Sequence, residues 1–187
     1  MLIIPLPRKS LGFSLIELMI GIAVFAITIA FGISSYRVWI QNTQIRNAAE
    51  SIQNGLQRAR GEAVKNNARV AFILGAGNLS NWTVNTISPA GAIVLPAIES
   101  KVSNEGSVNA TRTVLPLLAT TLTYGSLGTL VANADGSASL TQVNINSAVL
   151  SAADARNLRI AISAMGGIKM CDPHLAASSP ASCPVAW

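Results

Sequence analysis

Residues 13–33 read FSLIELMIGIAVFAITIAFGI, and Glu17 is the only charge among them. At about 1.5 Å per residue, a helix of this length spans roughly 31 Å, enough to cross the hydrocarbon core of a bilayer. A secretory h-region is shorter, about 7–15 residues, and ends at a small-residue cleavage site. No A-x-A-like site closes this run. A single Gly12 stands before it instead, after the basic pair Arg8 and Lys9. Residues 1–12 are therefore expected to be a removable leader, and residues 13–36 a retained transmembrane helix. The basic pair is expected to stay cytoplasmic by the positive-inside bias, which puts the rest of the chain outside.

A charge at the centre of a spanning helix costs about 2.5–3.5 kcal/mol on insertion scales, and less near the end, where Glu17 stands. Two readings fit it. The carboxylate snorkels to the interface, or it is an intramembrane charge awaiting a partner. Cleavage after Gly12 would free an amine on Phe13, one helical turn from Glu17. Amine and carboxylate would then neutralise each other, within one chain or between neighbours offset along a filament. Glu17 would in that case set register, because a subunit out of register leaves a buried charge unpaired.

The segment KSLGFSLIELMIGIAVFAI resembles the class III leader of type IV pilins and type II secretion pseudopilins. It has a short basic leader, Gly12, Phe13, Ser14-Leu15-Ile16, Glu17 and Leu18, then an unbroken apolar helix. The resemblance implies that a prepilin peptidase cuts after Gly12 and methylates Phe13, and that Glu17 directs the subunit into a filament. It implies three partners: other pilins or minor pilins met through the N-terminal helix, the prepilin peptidase, and the inner membrane. The head is expected in the periplasm before assembly, and afterwards in a pilus or pseudopilus fibre that can reach the cell surface.

Composition agrees with an anchored single domain. The chain has 187 residues, 11% of them charged, and a net charge of +5. Of its 13 Lys and Arg, two leave with the leader, and the rest against 8 Asp and Glu give about +3. That is mild for a dedicated nucleic-acid module.

Residues 37–68 continue the helix. Ile45, Ala48, Ala49, Ile52, Leu56, Ala59 and Ala63 recur at spacings of three and four, an amphipathic stripe read as core packing. Arg46 with Glu50 and Arg58 with Glu62 form i,i+4 pairs worth a few tenths of a kcal/mol each. Asn66-Asn67 is the expected stop. From residue 69 the pattern turns to strands. RVAFIL and WTVNTI flank a turn as a hairpin would. AIVLP is expected as a further strand. TLVANADGSASLTQVNI reads as two strands around Ala134-Asp135-Gly136-Ser137. NLRIAISAMGGIKMC reads as a hairpin turning at Met165-Gly166-Gly167. ESKVSNEGSVNATR is polar and expected as a mobile loop.

The run LQRARGEAVKNNARVAFIL followed by NWTVNTI resembles the GspH/FimT group of minor pilins and pseudopilins. Its shared pattern, an Ala-Arg-x-Glu-Ala helix end, a strand and a Trp-containing second strand, lies at Ala59-Arg60-Gly61-Glu62-Ala63 and Trp82. The fold implied is α+β: a long N-terminal helix carrying an antiparallel β-sandwich-like head over residues 69–187.

Cys171 and Cys183 lie close to the C-terminus. Outside the inner membrane such a pair reads as a disulfide, worth about 3 kcal/mol by loop entropy. The alternative gathers Cys171, Asp172, His174 and Cys183 around zinc, but one His and no compact C-x-x-C spacing argue against it, and no metal is expected. Pilus minor pilins of the FimT and FimU type carry a similar cysteine loop, whereas secretion GspH proteins commonly lack it, which favours the pilus. FimT proteins implicated in DNA uptake carry G-R-x-R just before the first such cysteine. The matching positions here are Gly166, Gly167, Ile168 and Lys169, with one lysine where the motif has two arginines. Lysine meets phosphate as a point charge, without the fork of arginine. Arg156 and Arg159 on the preceding strand add charge, but their odd spacing argues against a face shared with Lys169. DNA binding is expected to be weak.

The chain has one His, no paired carboxylates in a shared motif, no phosphate loop and no G-x-S-x-G. It is expected to be the substrate of a peptidase and methylase, not a catalyst, and to need no cofactor. The sequence points first to a type IV pilus minor pilin that initiates or caps assembly. The alternatives are a GspH-like pseudopilin of type II secretion and a DNA-binding minor pilin for transformation.

Overall fold

A computed structural model of the chain describes residues 12–184, apart from the side chains at 30–32 and 34. The expected leader, Gly12 excepted, lies outside the described residues. Helix α1 runs Leu15–Lys65, and the chain divides into two compact units between Arg37 and Val38. In the first unit the described apolar side chains of α1 are exposed, from Leu15 at 78% to Ile29 at 45%. Among the described residues no helix is long and apolar enough to cross a membrane. The expected span includes the side chains at 30–32 and 34, which lie outside the description.

In the second unit the expected stripe is the helix's contribution to the core. Ile45, Ala48, Ala49, Ile52, Leu56, Ala59 and Ala63 are each 0% exposed. The two expected i,i+4 pairs form, Arg46–Glu50 at 2.8 Å and Arg58–Glu62 at 3.2 Å. Asn67 ends α1 with φ +48°. The Ala68 N–H reaches Ala63 O at 3.1 Å and the Asn67 N–H reaches Val64 O at 3.4 Å. This is a Schellman cap, with asparagine at the left-handed position that glycine usually fills.

Nine strands follow among the described residues: β1 (Arg69–Leu74), β2 (Trp82–Ile87), β3 (Glu99–Lys101), β4 (Ala110–Leu115), β5 (Thr121–Tyr124), β6 (Leu130–Val131), β7 (Gln142–Ser147), β8 (Leu158–Ile162) and β9 (Ile168–Cys171). They form two antiparallel sheets, ordered β3-β2-β1-β5-β6 and β4-β7-β8-β9. In the first sheet Val70, Phe72, Leu74, Trp82, Val84, Leu122 and Tyr124 share one face, and in the second Val143, Ile145, Ile160 and Ile162 do. These faces and the helical stripe make one core.

Two expected hairpins are present. β1 pairs β2 from Arg69↔Ile87 to Leu74↔Trp82, and β8 pairs β9 with Gly166 at φ +79° in the turn. Three other expectations are corrected. AIVLP makes only the single bridge Ile87↔Ile93, because Pro89 shortly before it and Pro96 at its end cannot donate to a ladder. TLVANADGSASLTQVNI does hold two strands, but β6 and β7 belong to different sheets. Residues 132–141 cross between them, held by the Asn133 side chain, which donates to Thr121 O and Ser137 O at 3.1 Å each. ESKVSNEGSVNATR is no free loop: its ends are β3 and the start of β4. Its middle is tied down by Ser80–Ser107 at 2.8 Å, Asn47 Nδ2 to Gly106 O at 3.2 Å, and the Asn109 N–H to Gln44 Oε1 at 2.9 Å.

Two close approaches set the packing. A Cβ at Gly55 would lie 2.7 Å from a Phe72 ring carbon and 2.9 Å from the Trp82 ring, so this turn of α1 has room only for hydrogen. Phe72 and Trp82 rest there with ring centroids 5.6 Å apart, and Trp82 Nε1 donates to Ser51 Oγ at 2.9 Å. At the end of α1, Arg60 Nε donates to Gly128 O at 3.0 Å. A Cβ at Gly166 would lie 2.1 Å from that same oxygen. Buried Tyr124 lies beside Gly166, and its hydroxyl has no hydrogen-bond partner among the described residues. Burial raises its pKa above the ordinary value, against the opposing charge of Arg60.

Gly55→Ala is expected to destabilise the head by about 1–3 kcal/mol through overpacking, less the gain in helix propensity. Gly61→Ala is the control: nothing lies within 4 Å of its Cβ position, so it should stabilise by roughly 0.5–1 kcal/mol. Urea unfolding of both variants measures the contrast. Tyr124 also predicts alkaline weakness. Its folded pKa is raised, so its contribution is complete below about pH 10, the unfolded value, and is lost as pH rises toward the folded one. Tyr124→Phe should unfold like the parent at pH 7 and resist alkali better, read as thermal midpoint against pH.

Candidate functional site

The N-terminal group is built on the first turn of α1. Gly12 and Phe13 precede the helix, and Phe13 is 84% exposed. Ser14 is the N-cap: its Oγ accepts the Glu17 N–H at 3.2 Å, and its carbonyl accepts the Leu18 N–H at 3.1 Å. Ser14-Leu15-Ile16-Glu17 thus has the S-x-x-E spacing of a capping box, a helix-start signal written in four residues of sequence. Glu17 stands in the first turn, where the helix dipole favours a carboxylate. Gly12 and Phe13 thus lead straight into the turn that carries Glu17.

The C-terminal group lies on β8, β9 and the loop after them. Cys171 and Cys183 are bonded to each other, with Cα atoms 4.9 Å apart, so neither is a thiolate for zinc. Asp172 Oδ1 instead accepts the His174 N–H at 2.8 Å, and the His174 ring is 3.4 Å from Asn157 Nδ2. β8 and β9 pair Arg159 with Cys171 and Ala161 with Lys169. Opposite residues share a face, so Arg159 and Lys169 lie on one face, contrary to the expectation from spacing. The Arg159 Nε donates to Asn144 Oδ1 at 2.7 Å. Arg156 is not on the strand: it precedes β8, exposed, and its N–H donates to Asn42 Oδ1 at 2.8 Å. The structure therefore brings two of the three expected cations together.

The Ala-Arg-x-Glu-Ala helix end acts as a clamp. Glu62 is buried, 6% exposed, and its carboxylate gathers Arg58 at 3.2 Å, Lys65 at 3.6 Å and Asn66 Nδ2 at 2.8 Å. Arg60 reaches the β5–β6 turn, as described. One charged residue expected in the polar loop instead turns into the core. Arg112, on the core-facing side of β4 opposite Ile145, is 4% exposed, and burial lowers its pKa. Only the alternation A-T-R-T-V in residues 110–114 could have pointed to an inward arginine.

A protein-family model described as Type II transport protein GspH matches residues 48–166, more than half of the chain. The chain belongs to the GspH family. The prokaryotic N-terminal methylation motif matches residues 7–33 of this GspH-family chain. Among solved structures it is similar to the Pseudomonas aeruginosa type IV minor pilin FimU, at 20% identity and TM-score 0.51, over 72% of this chain and 93% of that one. It is similar also to EpsH, the minor pseudopilin from the Type 2 Secretion System of Vibrio cholerae, at 12% identity and TM-score 0.50, over 71% and 99%. Both share its fold, a helix packed on antiparallel sheets. No curated protein matches the chain.

The disulfide lies beyond the family match and closes the loop after β9. Its reduction, or Cys171→Ser with Cys183→Ser, should cost about 2–4 kcal/mol. Hydrogen exchange should quicken mainly in residues 172–184, with α1 and β1 little changed. Equal loss of protection throughout the head would show the bond holding the core instead of the loop.

Proposed function

We propose that this chain is a minor pilin of a type IV pilus, cleaved after Gly12, methylated on Phe13, and active in starting or capping the filament. One observation carries the reading. The N-terminal unit leaves a row of large apolar side chains uncovered by its own chain, with Phe13, Leu15, Ile16 and Phe25 all 67% exposed or more. Contiguous apolar surface of this kind marks contact with lipid or with other protein. The inner membrane covers it before assembly and neighbouring pilin helices afterwards. Glu17, in the first turn of α1 and four residues along the chain from the new amine on Phe13, then sets register by charge pairing. The chain works by assembly and performs no catalysis.

A pseudopilin of type II secretion would use the same helix and head, and the family description favours it. The disulfide-closed loop after residue 166 tilts the reading toward the pilus. DNA capture has less support: Arg159 and Lys169 share a face, but Arg159 is already bonded to Asn144.

Mass spectrometry of membrane-extracted protein should find a chain beginning at N-methylated Phe13. An intact leader in a strain with active prepilin peptidase would rule out the reading. Glu17→Ala should leave cleavage intact and lower incorporation into filaments at least tenfold, the effect of losing about 1.4 kcal/mol. Normal incorporation would leave Glu17 a snorkelling charge only. Loss of surface pili with secretion intact in a deletion strain separates pilus from secretion system.

A further inference from the structure

Three features around β4 and the loop after it are only partly accounted for by the head's own packing. The first is Arg112. Its Nη2 donates to Gly75 O and, at 3.0 Å, to Gly77 O, while its buried Nη1 has no hydrogen-bond partner among the described residues. The ion pairs found there join Arg46, Arg58, Lys65 and Lys101 to glutamates, and none includes Arg112. A buried guanidinium without a carboxylate is costly to keep. The second feature is the pair Leu117 and Leu118, 82% and 83% exposed. The third is the backbone beneath them. Leu118 has φ +67°, where glycine sits freely and a bulky side chain is strained. The chain accepts that strain to hold a leucine in water.

The three meet at one groove of about 600 Å³, lined by Arg112, Val114, Leu117, Leu118, Gly77 and Asn78. The groove also offers backbone. The Arg112 N–H turns away from β7 to Asn78 O at 2.7 Å. Val114, two residues on, therefore presents its N–H and C=O along the same free edge.

We propose that this groove receives a carboxylate-bearing aliphatic segment of a neighbouring subunit's head. Its Asp or Glu meets the Arg112 guanidinium, and its aliphatic side chains cover Leu117 and Leu118. Charge complementarity selects this occupant: the groove combines an unpaired cation with apolar walls, and its lining holds no acid. The inference rests on the assembly reading above, and the experiment separates the two.

The full-length chain is made in its own cells with a photoreactive benzophenone amino acid at Leu117 or, separately, at Phe25 on the N-terminal helix. Adducts in isolated filaments are mapped by mass spectrometry. Leu117 should join to the head of another pilin subunit at a segment holding an Asp or Glu among aliphatic residues. Changing that acid to its amide should cut the yield at least fivefold. Adducts from Phe25 with none from Leu117 would overturn the docking and leave assembly standing. So would adducts from Leu117 to lipid alone, or to a segment without an acid. Absence of pilin adducts from both positions would overturn both readings. Leu118→Gly gives a second measure. It should keep or raise the thermal midpoint, because it relieves the backbone, yet reduce the Leu117 adduct at least fivefold. A lowered midpoint with the adduct unchanged would show that Leu118 serves the fold alone and overturn the proposal.

Discussion

The head depends on a helix face thin enough for a sheet to lie against it. Ala48, Ala49, Ala59 and Ala63 supply most of that thinness, and Gly55 supplies the extreme, where Phe72 and Trp82 would meet any side chain. Trp82 is then fixed twice, by Phe72 beside it and by Ser51 Oγ on its indole nitrogen. Phe72 is on β1, the central strand of the first sheet, and Trp82 opens β2. Seating these two rings therefore sets the register of β1 on α1. The pairings of β2 and β5 with β1 carry that register outward. A one-residue slip would turn Val70, Phe72 and Leu74 away from the core.

The two sheets are held to each other by polar bonds as well as by apolar contact. Arg112 reaches from β4 to the carbonyls of the β1–β2 turn, and Arg112 N–H adds a bond to Asn78. Asn133 bonds the crossing segment to β5. At the end of α1, Arg60 donates to Gly128 O, and Gly166 of the β8–β9 turn packs closely against the same oxygen without bonding it. Such bonds contribute modestly when made and are costly when broken in the interior. They favour one arrangement of the sheets over looser ones with the same apolar faces.

What the sequence disclosed was whatever repeats locally. The alanine-rich stripe, the β1–β2 hairpin and the β8–β9 hairpin all show in spacings of two, three or four residues. Which sheet a strand joins does not. β6 and β7 look like hairpin partners around Asp135-Gly136, yet they join different sheets, because partners distant in sequence decide it. The polar stretch 99–112 looked mobile because its anchors are Asn47 and Gln44 on the helix, far away in sequence. Arg112 was hidden for a related reason: an inward arginine contradicts the usual polar-out pattern until the carbonyls that hold it are known. At the candidate sites, the N-terminal motif and the cysteine pair were legible because each is a compact sequence signal. The shared face of Arg159 and Lys169 needed the strand register.

In the assembly proposed above, where similar heads crowd together, the edges of the sheets matter. An open strand edge is a template, and at high local concentration it invites uncontrolled polymer growth. The first sheet ends in β3 of three residues and β6 of two, each too short to serve as a template. In the second, the free side of β4 is partly occupied by Asn78 and followed at once by Pro116. β9 runs into the cysteine-closed loop, where Asp172 bridges Ser182. Crowded heads can then lie side by side without knitting into cross-β ribbons, and the order they acquire comes chiefly from side chains and from the helix.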